Sequence, residues 1–197
     1  MLRATLLALS LAFSASQVSA DAFEDAVSAY QSGDFDTAAK ALRKLADQGD
    51  AAAQYNLGFM YDLGQGVPQD YAEAAKWYRL AADQGNAGAQ TDLGFMYEYG
   101  EGVLQNYAEA VKWYRLAAEQ GNTYGQYNLG LMYENGRGLL QDNVMAHMWY
   151  NLASANDHEN AGEQRDKLAA RMTAKDLAKA QAMARECMKG GYKNCGD

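Results

Sequence analysis

Every 36 residues the chain returns to the same side chains. Leu57, Leu93 and Leu129 stand one period apart, as do Gln54, Gln90 and Gln126. Gly58, Gly94 and Gly130 follow the same step, and so do Tyr61, Tyr97 and Tyr133. The frame is completed by Trp77, Trp113 and Trp149, by Tyr78, Tyr114 and Tyr150, and by Ala81, Ala117 and Ala153. A fixed period of this length marks a repeat array, in which each copy buries its apolar side only against its neighbours. That constraint argues against helices gathered around one closed centre.

Within a copy the pattern is that of two helices. Leu57, Met60 and Tyr61 share one face at helical spacing and predict a helix over 51–63. Asp50 is its N-cap, and Asn86 and Asn122 take that place in the next two copies. Gly64-Gln65-Gly66 closes the helix, because glycine adopts the left-handed backbone that ends helices. Asp70, with Glu73 three residues on, opens a second helix over 71–84 that turns Ala74, Trp77, Tyr78 and Ala81 inward. Gly58, in the middle of the first helix, costs about 1 kcal/mol against alanine. Its return in each copy predicts a close approach to an aromatic ring of the second helix. Short connections make the two helices antiparallel. The predicted fold class is all-α: a right-handed α-solenoid of antiparallel helix pairs.

The ends depart from the frame, as terminal units of an array do. Residues 21–49 form a shortened pair, with Phe23, Val27 and Tyr30 on one helix and Ala38, Leu42 and Leu45 on the other. The three regular copies occupy 50–85, 86–121 and 122–157. Residues 158–197 are expected to add two capping helices, near 161–172 and 174–188, with Thr173 as a cap.

The first twenty residues are of another kind. Arg3 precedes an apolar run, Leu6 to Phe13, and Val18-Ser19-Ala20 offers small residues for cleavage. This is the layout of a signal peptide cut after Ala20, the alternative being an uncleaved anchor. The expected location is periplasmic or secreted, with no stable membrane insertion after signal removal. Cys187 and Cys195 are the two cysteines of the chain. In an exported protein two close thiols pair, and Gly190-Gly191 lets the chain turn back between them; the alternative is two reduced thiols. The formal net charge of −8 argues against nucleic acid as a partner, since phosphates are bound by basic patches.

Three strings carry a family resemblance: Ala53-Gln54-Tyr55-Asn56-Leu57-Gly58-Phe59-Met60-Tyr61, Gly64-Gln65-Gly66-Val67-Pro68-Gln69-Asp70-Tyr71, and Ala74-Ala75-Lys76-Trp77-Tyr78-Arg79-Leu80-Ala81-Ala82-Asp83-Gln84-Gly85. They resemble the Sel1-like repeat, a relative of the tetratricopeptide repeats, and the resemblance covers residues 52–157. The pair at 21–49 resembles a tetratricopeptide unit more loosely. The resemblance implies an adaptor that organises protein complexes, often in bacterial envelopes or at host contact, and it does not imply catalysis. The third copy departs from the pattern at Leu140, Met145, His147 and Met148.

No nucleophile elbow or phosphate loop occurs, so no catalytic residue, metal ligand or cofactor site is assigned. His147 falls where the other copies have Ala75 and Val111, and reads as a surface or hydrogen-bonded side chain. The binding candidates lie on the first helix of each copy, pointing away from the second. They are Tyr55, Phe59, Asp62 and Leu63; then Thr91, Phe95, Glu98 and Tyr99; then Tyr127, Leu131, Glu134 and Asn135. By analogy with related repeats these line a concave surface. Aromatic area and carboxylates together suit a protein or peptide partner carrying basic residues. The competing reading packs Phe59, Phe95 and Leu131 between repeats. The expected function is an exported scaffold for protein–protein interactions in the bacterial envelope. The alternatives are an envelope hydrolase acting on cell wall or β-lactams, and a structural subunit of an envelope assembly.

Overall fold

The computed structural model describes residues 21–193 and residue 195. The signal-peptide segment, residues 1–20, lies outside the described residues. The fold is an all-α solenoid of helix pairs, and no strand occurs among the described residues. The helices are α1 (21–31), α2 (Phe35–Asp47), α3 (Ala51–Leu63), α4 (Tyr71–Asp83), α5 (Ala87–Tyr99) and α6 (Tyr107–Ala118). They continue as α7 (Thr123–Asn135), α8 (Asn143–Ala155), α9 (Ala161–Ala169) and α10 (Ala174–Lys189). The chain divides into two compact units at Leu80–Ala81, within α4.

Local chemistry fixes where the helices start and stop. The side chains of Asp50, Asn86 and Asn122 accept hydrogen bonds from the amides of Ala53, Ala89 and Gly125, three residues on. Asp70, Asn106 and Asp142 do the same for α4, α6 and α8. Each such cap stabilises its helix by about 1 kcal/mol. Gly64, Gly100 and Gly136 end α3, α5 and α7 in left-handed backbone. The capping pair follows its predicted course except that α9 stops at Ala169. Residues 170–172 form a turn that delivers Thr173, in extended backbone, to cap α10 through a bond from the Asp176 amide.

In the first unit α2 packs on α3, and Ala38, Leu42, Ala53, Leu57 and Met60 form the core with Trp77 of α4. Arg43 lies against the Tyr61 and Trp77 rings and donates to the Tyr61 hydroxyl. In the second unit α5 packs on α6, α6 on α7, α7 on α8, and α8 on both α9 and α10. Its core holds Tyr114, Leu129, Met132, Trp149, Tyr150 and Leu152. Leu57, Leu93 and Leu129 are completely buried, and each contributes roughly 1.5–3 kcal/mol of burial energy. Cys187 and Cys195 stand at bonding distance, with Cα atoms 5.2 Å apart.

Two glycine positions are set by close approach. A Cβ on Gly94 would sit 2.7 Å from the Tyr114 ring, and one on Gly58 would sit 2.8 Å from that of Tyr78. Gly130 meets Tyr150 in the same way. The second glycine of the loop, at Gly66 and Gly138, lies against the backbone of Phe35 and Tyr107, where a helix of the preceding copy begins. Gly94→Ala therefore tests the packing directly. On an exposed helix face this change gains up to about 1 kcal/mol. Here it is expected to cost about 1–3 kcal/mol, because Tyr114 is buried and has nowhere to move. A lowered urea midpoint checks it, and an unchanged or raised midpoint refutes the contact.

Candidate functional site

Between them the first helices of the copies present three kinds of side chain: links to neighbouring helices, withdrawn carboxylates, and large apolar or aromatic groups at the surface. Gln54, Gln90 and Gln126 make the links. Each is buried and donates its amide to a carbonyl at the end of the preceding helix, namely Ala46 (3.1 Å), Ala82 (3.1 Å) and Ala118 (3.3 Å). Sequence reading places these glutamines in the frame but not in this role. Their recurrence at a buried position, where an unpaired amide is costly, is the signal that finds it.

The predicted binding residues fall into different environments. Glu98 is only 7% exposed. It accepts from the Tyr114 hydroxyl at 3.0 Å and from Arg137 at 3.2 Å. Glu134 repeats the arrangement, accepting from Tyr150 at 2.7 Å and from Arg171 at 2.5 Å. Both carboxylates are thus engaged inside the chain, whereas the sequence reading had them facing a partner. Burial, reinforced by these carboxylates, holds the Tyr114 and Tyr150 phenols far above the ordinary tyrosine range, so both stay protonated and donate. Thr91 is buried, with its hydroxyl 3.0 Å from the Ala87 carbonyl and 3.1 Å from Asn122, the cap of α7.

Phe95 and Tyr99 do reach the surface. They lie against each other one turn apart on α5 with ring centroids 4.4 Å apart and planes tilted by 39°, and they are 42% and 55% exposed. Leu131 of α7 is half-buried and packs on the core, while Asn135 is exposed and donates to the Leu131 carbonyl of its own helix. Tyr127 is half-buried beneath His158, with the two rings stacked 4.3 Å apart. This stack joins α7 to the segment after α8 and leaves no trace in the repeat frame. In the first unit Leu63 is 48% exposed and Asp62 half-buried. Tyr55 lies against the Tyr78 ring, and Phe59 lines a small apolar hollow with Val27, Tyr30 and Leu42.

Among the described residues no group of three His, Cys, Asp or Glu side chains is placed to hold a metal ion. His147 is buried at 2% exposure, and its Nδ1 finds no hydrogen-bond partner among the described residues. It is therefore neither the surface residue nor the partnered one expected from sequence. Burial and the nearby Arg165 hold its imidazole below the ordinary value.

The Glu98 network makes a prediction about stability. Glu98→Gln keeps the shape and removes the charge, and is expected to lower stability by about 1–2 kcal/mol. In a double-mutant cycle with Tyr114→Phe the two losses are expected to fall short of additivity by at least about 0.5 kcal/mol. Additive losses in urea denaturation followed by tryptophan fluorescence rule out the interaction.

The Sel1 repeat model matches residues 51–86, 87–122 and 123–158, more than half of the chain. Among solved structures, the chain is similar to a Sel1 repeat protein from Oxalobacter formigenes, with 40% identity and a TM-score of 0.60. That match covers 64% of this chain and 95% of the other. It is also similar to a protective antigen present in uropathogenic Escherichia coli strains, displaying an SLR fold, with 28% identity and a TM-score of 0.60. That match covers 79% of this chain and 42% of the length of the antigen. Comparison with curated proteins returns no match. Sel1 repeats are in general a protein–protein interaction fold, and with three consecutive matches joined to helix pairs of the expected form, the chain belongs to the Sel1 repeat family.

Proposed function

We propose that this protein is an exported scaffold of the bacterial envelope that binds a protein partner through the exposed face of α5 and its continuation on α7. The observation that carries the reading is the Phe95–Tyr99 pair. Two large rings held together at 42% and 55% exposure form a rigid contact surface that loses little entropy when covered. Glu98 lies between these two residues in sequence and Glu134 holds the matching place on α7, but Arg137 and Arg171 occupy their charge. The partner's complement to this face is therefore apolar and aromatic more than basic.

Two observations support export. Residues 1–20 carry the charge and small-residue pattern of a cleavable leader. The cysteine pair stands at disulfide distance, which suits an oxidising compartment. The resemblance to an E. coli protein described as a protective antigen fits the same location.

The test is crosslinking in intact cells followed by mass spectrometry, with Phe95→Ser and Tyr99→Ser made together. The double variant is expected to lose at least about tenfold in partner capture while keeping the wild-type thermal unfolding, because both rings are surface residues. The mature chain isolated from the periplasm is expected to begin at Asp21. Undiminished capture by the folded variant overturns the binding face, and retention of residues 1–20 in the cytoplasm overturns export.

A further inference from the structure

A polar cleft lies at the C-terminal end of the second unit, where α8, α9 and α10 meet, with a volume of about 340 Å³. That volume is at the lower end of small-molecule sites. Its walls do not follow the repeat. His147 on α8 replaces an apolar position, filled by the buried Ala75 and Val111 in the other copies. One turn on, Asn151 replaces Arg79 and Arg115. The third copy thus departs from the frame on the face that the capping helices cover. A buried polar atom without a partner costs on the order of 1–3 kcal/mol. The frame shows that an alanine or valine fills this place in the other copies, so His147 is not required by the fold.

Two arginines dominate the remaining polar walls. Arg165 on α9 is held by Asp166 at 2.8 Å and donates to Asn151 at 3.3 Å. Leu177, Gln181 and Arg185 follow one another at four-residue spacing along a single stripe of α10. The Arg185 guanidinium makes no hydrogen bond or ion pair among the described residues. With two arginines against one aspartate, the cleft is locally positive in a chain of net charge −8. Leu177 and Ala169 supply an apolar floor.

From this geometry we infer that the cleft binds a small organic carboxylate. Its carboxylate is gripped by Arg185 and Gln181, its aliphatic body lies on Leu177 and Ala169, and the buried His147 closes the wall behind it. The planar guanidinium fork matches a carboxylate, and the open cleft admits a free metabolite-sized anion. This site is separate from the aromatic face of α5, and neither depends on the other.

Isothermal titration calorimetry of the full mature chain with succinate tests it, with dimethyl succinate as the uncharged counterpart. Succinate is expected to give saturable heat and the diester none. Arg185→Gln is expected to weaken succinate binding about tenfold, the usual loss of one charge-assisted hydrogen bond. Gln181→Leu, at an exposed position of α10, keeps the fold and is expected to weaken binding by several-fold. Absence of heat up to about 10 mM succinate, equal binding of the diester, or wild-type affinity in either folded variant overturns the site.

Discussion

A tyrosine ring laid flat on a glycine joins the two helices of each repeat. Gly58, Gly94 and Gly130 leave no room for a Cβ against Tyr78, Tyr114 and Tyr150. The close approach carries the tyrosine hydroxyl one turn along the same face of the first helix. In the second unit it meets Glu98 or Glu134 there, and each carboxylate is in turn held by an arginine further along the chain. A residue chosen for having no side chain thus determines where the buried polar groups find their partners. The about 1 kcal/mol that glycine costs inside a helix is offset by packing and hydrogen bonds that no larger residue permits.

The surface that remains is what this network does not use. Along α5, Thr91 and Glu98 are turned to internal bonds, and Leu93 and Met96 to the core. Phe95 and Tyr99 are left facing outward. The same subtraction explains why α8 differs from the helices before it. It has α9 and α10 packed on it, so His147 and Asn151 line a cleft with Arg165, Gln181 and Arg185. Departures from the repeat are concentrated where the neighbour changes.

Much of this was legible in the sequence, for a physical reason. Caps, glycine stops and helical stripes act over three to five residues, so Asp50, Asn86 and Gly100 could be read directly, and the helices begin and end where they dictate. The 36-residue period then supplied the pairing of helices and the fold class. What escaped was nonlocal. Glu98 reads as a groove carboxylate until Arg137, 39 residues on, closes over it. The stack of His158 on Tyr127 and the isolation of His147 depend on where the capping segment lands, and no period encodes that. Phe95 and Leu131 share a frame position yet differ in exposure, because Leu131 is half-covered by the core of its own unit.

The loop glycines Gly66 and Gly138, pressed on the first residues of an earlier helix, limit how such a protein changes in size. A loop lengthened by one or two residues would lift off that backbone. Growth by small insertions is therefore closed to it. Duplication of a complete unit, by contrast, reproduces every one of these contacts at once, so arrays of this kind gain or lose length in whole-copy steps.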